Sequence, residues 1–178
     1  MTTDKAGSFP AGFLWGAATG AHQVEGGNVN NNYWEAEHAP DSGFVEPSGD
    51  ACDSYHRWRE DLDLLAGVGL NAYRFSLEWS RIEPEEGEIA RAAVDHYRRM
   101  VDGCQERGLS PVVTLEHFTI PRWMDHSGGW QDPRAPDRFA RYCEAALPVV
   151  EEGVDWVCTI NEPNMAAMTD SLDASATG

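Results

Sequence analysis

The sequence predicts an α/β fold built on a parallel sheet, and three observations predict it. Three segments repeat one order: an amphipathic stretch, a glycine, an apolar residue and then a short β-rich run. The stretches before the glycines carry apolar residues at steps of three and four, the period of a helix with one buried face. The runs after them are short and rich in β-branched and aromatic residues, as buried strands are. Strands and helices alternating at a repeat of roughly forty residues point to right-handed βαβ units.

The first strand is expected at Phe13-Leu14-Trp15-Gly16-Ala17-Ala18. A first helix follows on Tyr55, Trp58, Leu62 and Leu65, with Asp50 or Asp53 as its cap and Gly69 at its end. Ala72 to Leu77 form the second strand, and Val94, Tyr97, Val101 and Cys104 stripe the second helix, which closes at Gly108. The third strand is Pro111 to Leu115. The third helix opens on Pro136 and Asp137, buries Phe139, Cys143, Ala146 and Val150, and ends at Gly153. Trp156 to Ile160 make the fourth strand. Each closing glycine suits a left-handed residue at a helix C-terminus, because it has no Cβ to clash.

Four parallel strands fit an open doubly wound sheet or the first half of an eight-stranded barrel. No Gly-x-Gly-x-x-Gly follows the first strand, which disfavours the dinucleotide-binding form of the open sheet. The expectation is therefore a (β/α)8 barrel of the TIM type, N-terminal half only, with about four βα units. Residues 1–178 would be one partial domain whose C-terminal half is missing. In such a barrel the reactive side chains stand after the C-terminal ends of the strands. Those positions hold Gln23, Glu78, Glu116 with His117, and Asn161 with Glu162. Because Glu116 and His117 are neighbours, strand alternation turns Glu116 away from any pocket that His117 faces. Glu25 and Glu35 are read as structural.

Thirty acidic against thirteen basic residues give a formal net charge of -17, a field that repels nucleic-acid phosphates and anionic membranes. Neutral ligands are expected, and no nucleic-acid or membrane partner. Cys52, Cys104, Cys143 and Cys158 form no Cys-x-x-Cys pair and the histidines no metal-ligand spacing, so reduced thiols, no metal and no cofactor are expected. No secretory leader or membrane span is legible, and a cytoplasmic location follows as an expectation.

Five motifs then carry a resemblance. They are Phe9-Pro10 through Phe13-Leu14-Trp15-Gly16-Ala17-Ala18-Thr19; His22-Gln23-Val24-Glu25-Gly26; and Tyr73-Arg74-Phe75-Ser76 with Glu78-Trp79-Ser80-Arg81-Ile82. Thr114-Leu115-Glu116-His117-Phe118 with Pro121-Arg122-Trp123, and Thr159-Ile160-Asn161-Glu162-Pro163, complete the set in order. The chain resembles the N-terminal half of glycoside hydrolase family 1, the β-glucosidase-like retaining enzymes. The resemblance implies hydrolysis of a β-glycoside, with Glu162 as general acid/base and Asn161 on the 2-hydroxyl beside the reacting carbon. It further implies that Gln23 and His117 bind sugar hydroxyls, that Phe118 lines the pocket, and that Arg74 orients the nucleophilic glutamate. The nucleophile belongs to a Thr-Glu-Asn-Gly-like motif that this sequence lacks, and the tail from Thr169 to Gly178 departs from the family pattern. Two expectations follow: an acid/base half that is inactive alone and needs a C-terminal half-barrel, or a sugar-binding half-barrel that self-associates through open sheet edges.

Overall fold

The computed structural model describes residues 8–165 and residue 167. In chain order the elements are β1 (Gly16–Ala18), α1 (Ala21–Val24), α2 (Asn32–Glu37), α3 (Ser54–Gly67), β2 (Ala72–Ser76), α4 (Trp79–Ile82), α5 (Arg91–Glu106), β3 (Ser110–Glu116), α6 (Arg122–Asp125), a short 3-10 helix (Gly129–Gln131), α7 (Ala135–Val150) and β4 (Trp156–Ile160). The four strands form one parallel sheet in the order β1-β2-β3-β4. That consecutive order, with α3, α5 and α7 as crossovers, is the (β/α)8 arrangement over four βα units. All four C-terminal strand ends therefore share one rim.

The three predicted crossover helices form where their apolar stripes fall, and Gly69, Gly108 and Gly153 adopt φ of 85°, 70° and 76° just beyond them. Two local expectations are corrected. β1 spans only Gly16–Ala18, and ahead of it Phe9, Phe13 and Trp15 cluster together at centroid separations of 4.5–4.8 Å. Asp53 stands at the N-cap of α3 but caps nothing: its backbone is left-handed and its carboxylate takes the His56 Nδ1 at 2.6 Å. Pro136 lies in the first turn of α7 as expected. The tail Thr169 to Gly178 lies outside the described residues.

The core fills the space between the outer face of the sheet and the crossover helices. Tyr73, Phe75 and Leu77 alternate outward with Val113 and Leu115 and meet Trp58, Leu62, Tyr97, Met100 and Tyr142. Trp79 stacks on Tyr142 at 4.7 Å, ringed by Trp123, Trp130 and Phe139. The inner face of the sheet is different. It carries Arg74 and Thr114, and at its β4 edge Trp156 stays exposed.

α3 and α5 approach closely at Gly103, where an added Cβ would meet the Trp58 ring at 2.5 Å and Leu62 at 3.2 Å. Helix propensity favours alanine there by about 1 kcal/mol, whereas forcing a methyl into a packed ring contact costs about 1–3 kcal/mol. Trp58 is 5 % exposed and has little room to retreat, so the clash wins. Gly103→Ala is expected to lower the urea midpoint, by an amount equivalent to about 1–2 kcal/mol; an unchanged or raised midpoint would mean that this helix interface yields.

Candidate functional site

The rim is assembled by loops that lack helical or strand periodicity, and polar contacts give them their shape. After β1, the Ala21 N–H donates to Ser76 Oγ at 2.7 Å, which seats α1 over the end of β2. After β3, the Ile120 N–H donates to Asn32 Oδ1 and the Asn32 N–H to Ile120 O, both at 3.0 Å. These bonds hold the first and third loops side by side.

Beneath them lies Glu78, fully buried. Its Oε1 accepts the Ser80 hydroxyl at 2.8 Å and N–H at 3.3 Å, and its Oε2 accepts Thr119 Oγ1 at 3.0 Å, Asn31 Nδ2 at 3.3 Å and Asn28 Nδ2 at 3.5 Å. Glu78 is thus no reactive group on the rim, as its place after β2 suggested, but the polar centre on which three loops close. The network continues outward. Asn31 Nδ2 meets His22 Nδ1 at 2.9 Å, His22 Nε2 meets Glu37 Oε1 at 2.8 Å, and Glu37 Oε2 accepts from the Ser48 N–H and hydroxyl. Burial pushes the Glu37 carboxyl up, but the Ser48 and His22 bonds outweigh it and hold its pKa below the ordinary range.

A cavity of about 360 Å³ opens between these loops, lined by His22, Gln23, Tyr33, Glu37, Phe44, Ser48, His117, Phe118 and Thr119. Three expected residues, Gln23, His117 and Phe118, are in its wall. Gln23 and His117 meet across Gly20, where a Cβ would touch Gln23 Oε1 at 2.7 Å and the His117 ring at 2.9 Å. Only glycine lets the two polar groups share that corner. Burial first, and Arg74 second, push the His117 pKa down while Glu162 pulls it up, so the imidazole is kept neutral at physiological pH. A neutral ring with one donor and one acceptor suits hydroxyl groups.

Arg74, Asn161 and Glu162 do not line that cavity; they form a second group on the same rim. The Arg74 guanidinium donates through Nη2 to Asn161 Oδ1 at 2.7 Å and through Nε to Thr114 Oγ1 at 2.8 Å. Asn161 is 7 % exposed, held also by its N–H to Glu116 O at 2.9 Å. Glu162 follows it, exposed, at φ 45°. Sequence reasoning missed Tyr33, Glu37, Phe44 and Ser48, which come from a stretch with no apolar period, and Thr114, which reads as an ordinary strand residue. The run Asn30-Asn31-Asn32 before Tyr33 was the available signal, since side-chain amides in series mark a loop that bonds through its side chains.

Glu116 does not line the cavity either. It shares the inner face with Thr114 and is 1 % exposed, and neither carboxyl oxygen has a side-chain hydrogen-bond partner. Burial pushes its pKa up to about 8; the Phe118 N–H offsets part of this and Glu78 adds to it. A carboxyl shifted that far is mostly protonated at pH 7. Glu25, read as structural, pairs with Arg81 at 2.8 Å and Tyr97 at 2.7 Å. Among the described residues one group, Glu35, Asp125 and His126, gathers three possible metal ligands, with Glu35 Oε2 already on His126 Nε2 at 2.6 Å; none of the three lines the cavity. No helix among the described residues is long and apolar enough to cross a membrane.

Comparison with known proteins places this geometry. The model of glycosyl hydrolase family 1 matches residues 5–175. A β-glucosidase of an Agrobacterium species is 40% identical over 94% of the chain, and a human protein named cytosolic β-glucosidase is 36% identical over 90%. Among solved structures, β-glycosidase BGL167 superposes with a TM-score of 0.87 at 53% identity over 92% of the chain. The family 1 β-glucosidase of Thermotoga maritima superposes at 0.85 and 35% identity over 90%. The chain spans 38% and 36% of the two curated relatives, and 39% and 38% of the two structures.

The raised pKa of Glu116 ties stability to pH. Stability held by its neutral form is complete below its ordinary value of 4.5 and is lost as pH rises towards about 8, because the unfolded chain ionises first. Urea denaturation from pH 5 to 8.5 should show a decline that Glu116→Gln reduces by roughly 2–4 kcal/mol at the alkaline end. Parallel curves for the two proteins would assign the decline to other groups.

Proposed function

The chain belongs to glycosyl hydrolase family 1, and on that premise we propose that it is the acid/base part of a retaining β-glycosidase that hydrolyses terminal β-linked O-glycosides. The observation that carries the reading is the single rim. Gln23 and His117 share one corner of it, and Arg74 holds Asn161 beside Glu162 on the same edge of the sheet.

Cleavage of a glycosidic bond needs a proton for the leaving oxygen and relief of positive charge on the departing sugar carbon. In this proposal Glu162 supplies the proton and later takes one from water, and Asn161 donates to the 2-hydroxyl, a bond that strengthens as charge develops. Gln23 and neutral His117 grip hydroxyls of the non-reducing sugar, with Phe118 as an apolar wall. A second carboxylate about 5–5.5 Å from Glu162 has to attack the carbon, and its negative charge keeps Glu162 protonated until that attack; once it is bonded to the sugar the charge is gone and Glu162 is left as the base for water. No Thr-Glu-Asn-Gly-like motif occurs in these 178 residues, so the nucleophile that Arg74 orients comes from another segment, and the chain alone is inactive. A cytoplasmic location belongs to the same reading and is supported by the name of the human relative. A second reading, a half-barrel that binds sugars and self-associates without cutting, is favoured by the exposure of Trp156 at 60% and Val157 at 44% on the edge strand β4.

The decisive experiment mixes this chain with the complementary C-terminal segment of the Agrobacterium relative and follows release from an aryl β-glucoside. Turnover is expected only in the mixture, reduced about 100-fold or more by Glu162→Gln. Turnover by the chain alone, or a mixture indifferent to that substitution, would overturn the assignment of Glu162. A stable dimer that binds glucose yet never complements would support the second reading.

A further inference from the structure

An asparagine amide has two ends of nearly equal size, one accepting and one donating, so its neighbours decide which end a ligand meets. At Asn161 the accepting end is taken by Arg74 Nη2 at 2.7 Å, which leaves the NH2 end with two protons to give. Arg74 can impose that choice only while its planar fork is fixed, and the fork is fixed from its Nε side by Thr114 Oγ1 at 2.8 Å. Thr114 is fully buried one strand over, in register with Ser76 on one side and Cys158 on the other. The chain of contacts crosses β3 and β2 and ends just beyond β4, spanning the inner face of the sheet.

We propose that Thr114 is a positioning residue for the 2-hydroxyl contact: its hydroxyl fixes Arg74, and Arg74 presents the Asn161 NH2 to the sugar. This rests on the reading above that Asn161 meets the hydroxyl beside the reacting carbon. Valine has the shape of threonine without the hydroxyl, so Thr114→Val leaves the Arg74 Nε–H without its acceptor in a half-buried place. The guanidinium then turns to recover a partner and releases Asn161. Serine keeps the hydroxyl and serves as the conservative control.

A role confined to packing would slow every substrate alike; a positioning role falls on the 2-hydroxyl alone. In the complemented enzyme, Thr114→Val should lower kcat/KM for an aryl β-glucoside by about 10–100-fold and for its 2-deoxy analogue by less than about 3-fold, with Thr114→Ser close to the parent on both. Equal losses on the two substrates, no loss, or a serine variant as impaired as valine would overturn the proposal. A second measurement needs no turnover: the side-chain NH2 signals of Asn161 in the isolated chain, assigned by their loss in Asn161→Asp. They should shift in Thr114→Val and stay in place in Thr114→Ser. Unmoved signals in Thr114→Val overturn the positioning role, whereas a parent mixture that never turns over counts against the glycosidase reading and leaves the NMR result to decide Thr114.

Discussion

The geometry of the rim depends on one buried carboxylate. Glu78 sits fully out of solvent, where an unpaired charge is expensive enough to unfold a small domain. The loop after β1 answers with Asn28 and Asn31, the loop after β2 with Ser80, and the loop after β3 with Thr119. Because the donors come from three different loops, satisfying the carboxyl group and arranging the loops are the same event. His22, Gln23, His117 and Phe118 inherit their positions from it, although only His22 is bonded into the network. The arrangement also explains how loops with short helices of four to six residues hold a defined cavity: isolated helices of that length do not persist without tertiary support.

Legibility in the sequence follows the same division. The crossover helices, their closing glycines and three of the four strands could be read because their periods of about 3.6 and 2 are local properties. β1 is shorter than its apolar run suggests, since Phe13 and Trp15 look like strand residues but cluster with Phe9 ahead of the strand. Asp53 was misjudged as a capping side chain because the competitor for its carboxylate, His56, is visible only once the turn is formed. The positions after the strand ends are legible from the strand pattern and their roles only through the resemblance, and Arg74 and Asn161 do meet. What the sequence did not disclose was burial. Glu78 and Glu116 stand at matching places on the rim, yet one is saturated with side-chain donors and the other has none, a difference set by Ser80 nearby and by Asn28, Asn31 and Thr119, each more than 40 positions away.

The two faces of the sheet are built on different physics. The outer face is an apolar core closed by aromatic stacking around Trp79. The inner face carries a polar relay from Thr114 through Arg74 to Asn161, in which each group has one geometry that satisfies it. Packing of the first kind is non-directional, and a change of shape is felt where it is made. A relay of the second kind is directional, which is why loss of the Thr114 hydroxyl would be felt, through Arg74, at a side chain beyond the end of the neighbouring strand.

Phe118 and Glu162, each two residues past the end of its strand, hold positive φ values of 72° and 45°, a backbone that side chains with a Cβ seldom adopt. Replacing Glu162 by glycine would therefore change two things at once, deleting a carboxyl group and relaxing a strained main chain. Glutamine changes the first and keeps the second. Comparison of the two variants separates functional loss from conformational relief, a pairing that any mutational scan through this corner of the chain has to include before its scores can be interpreted.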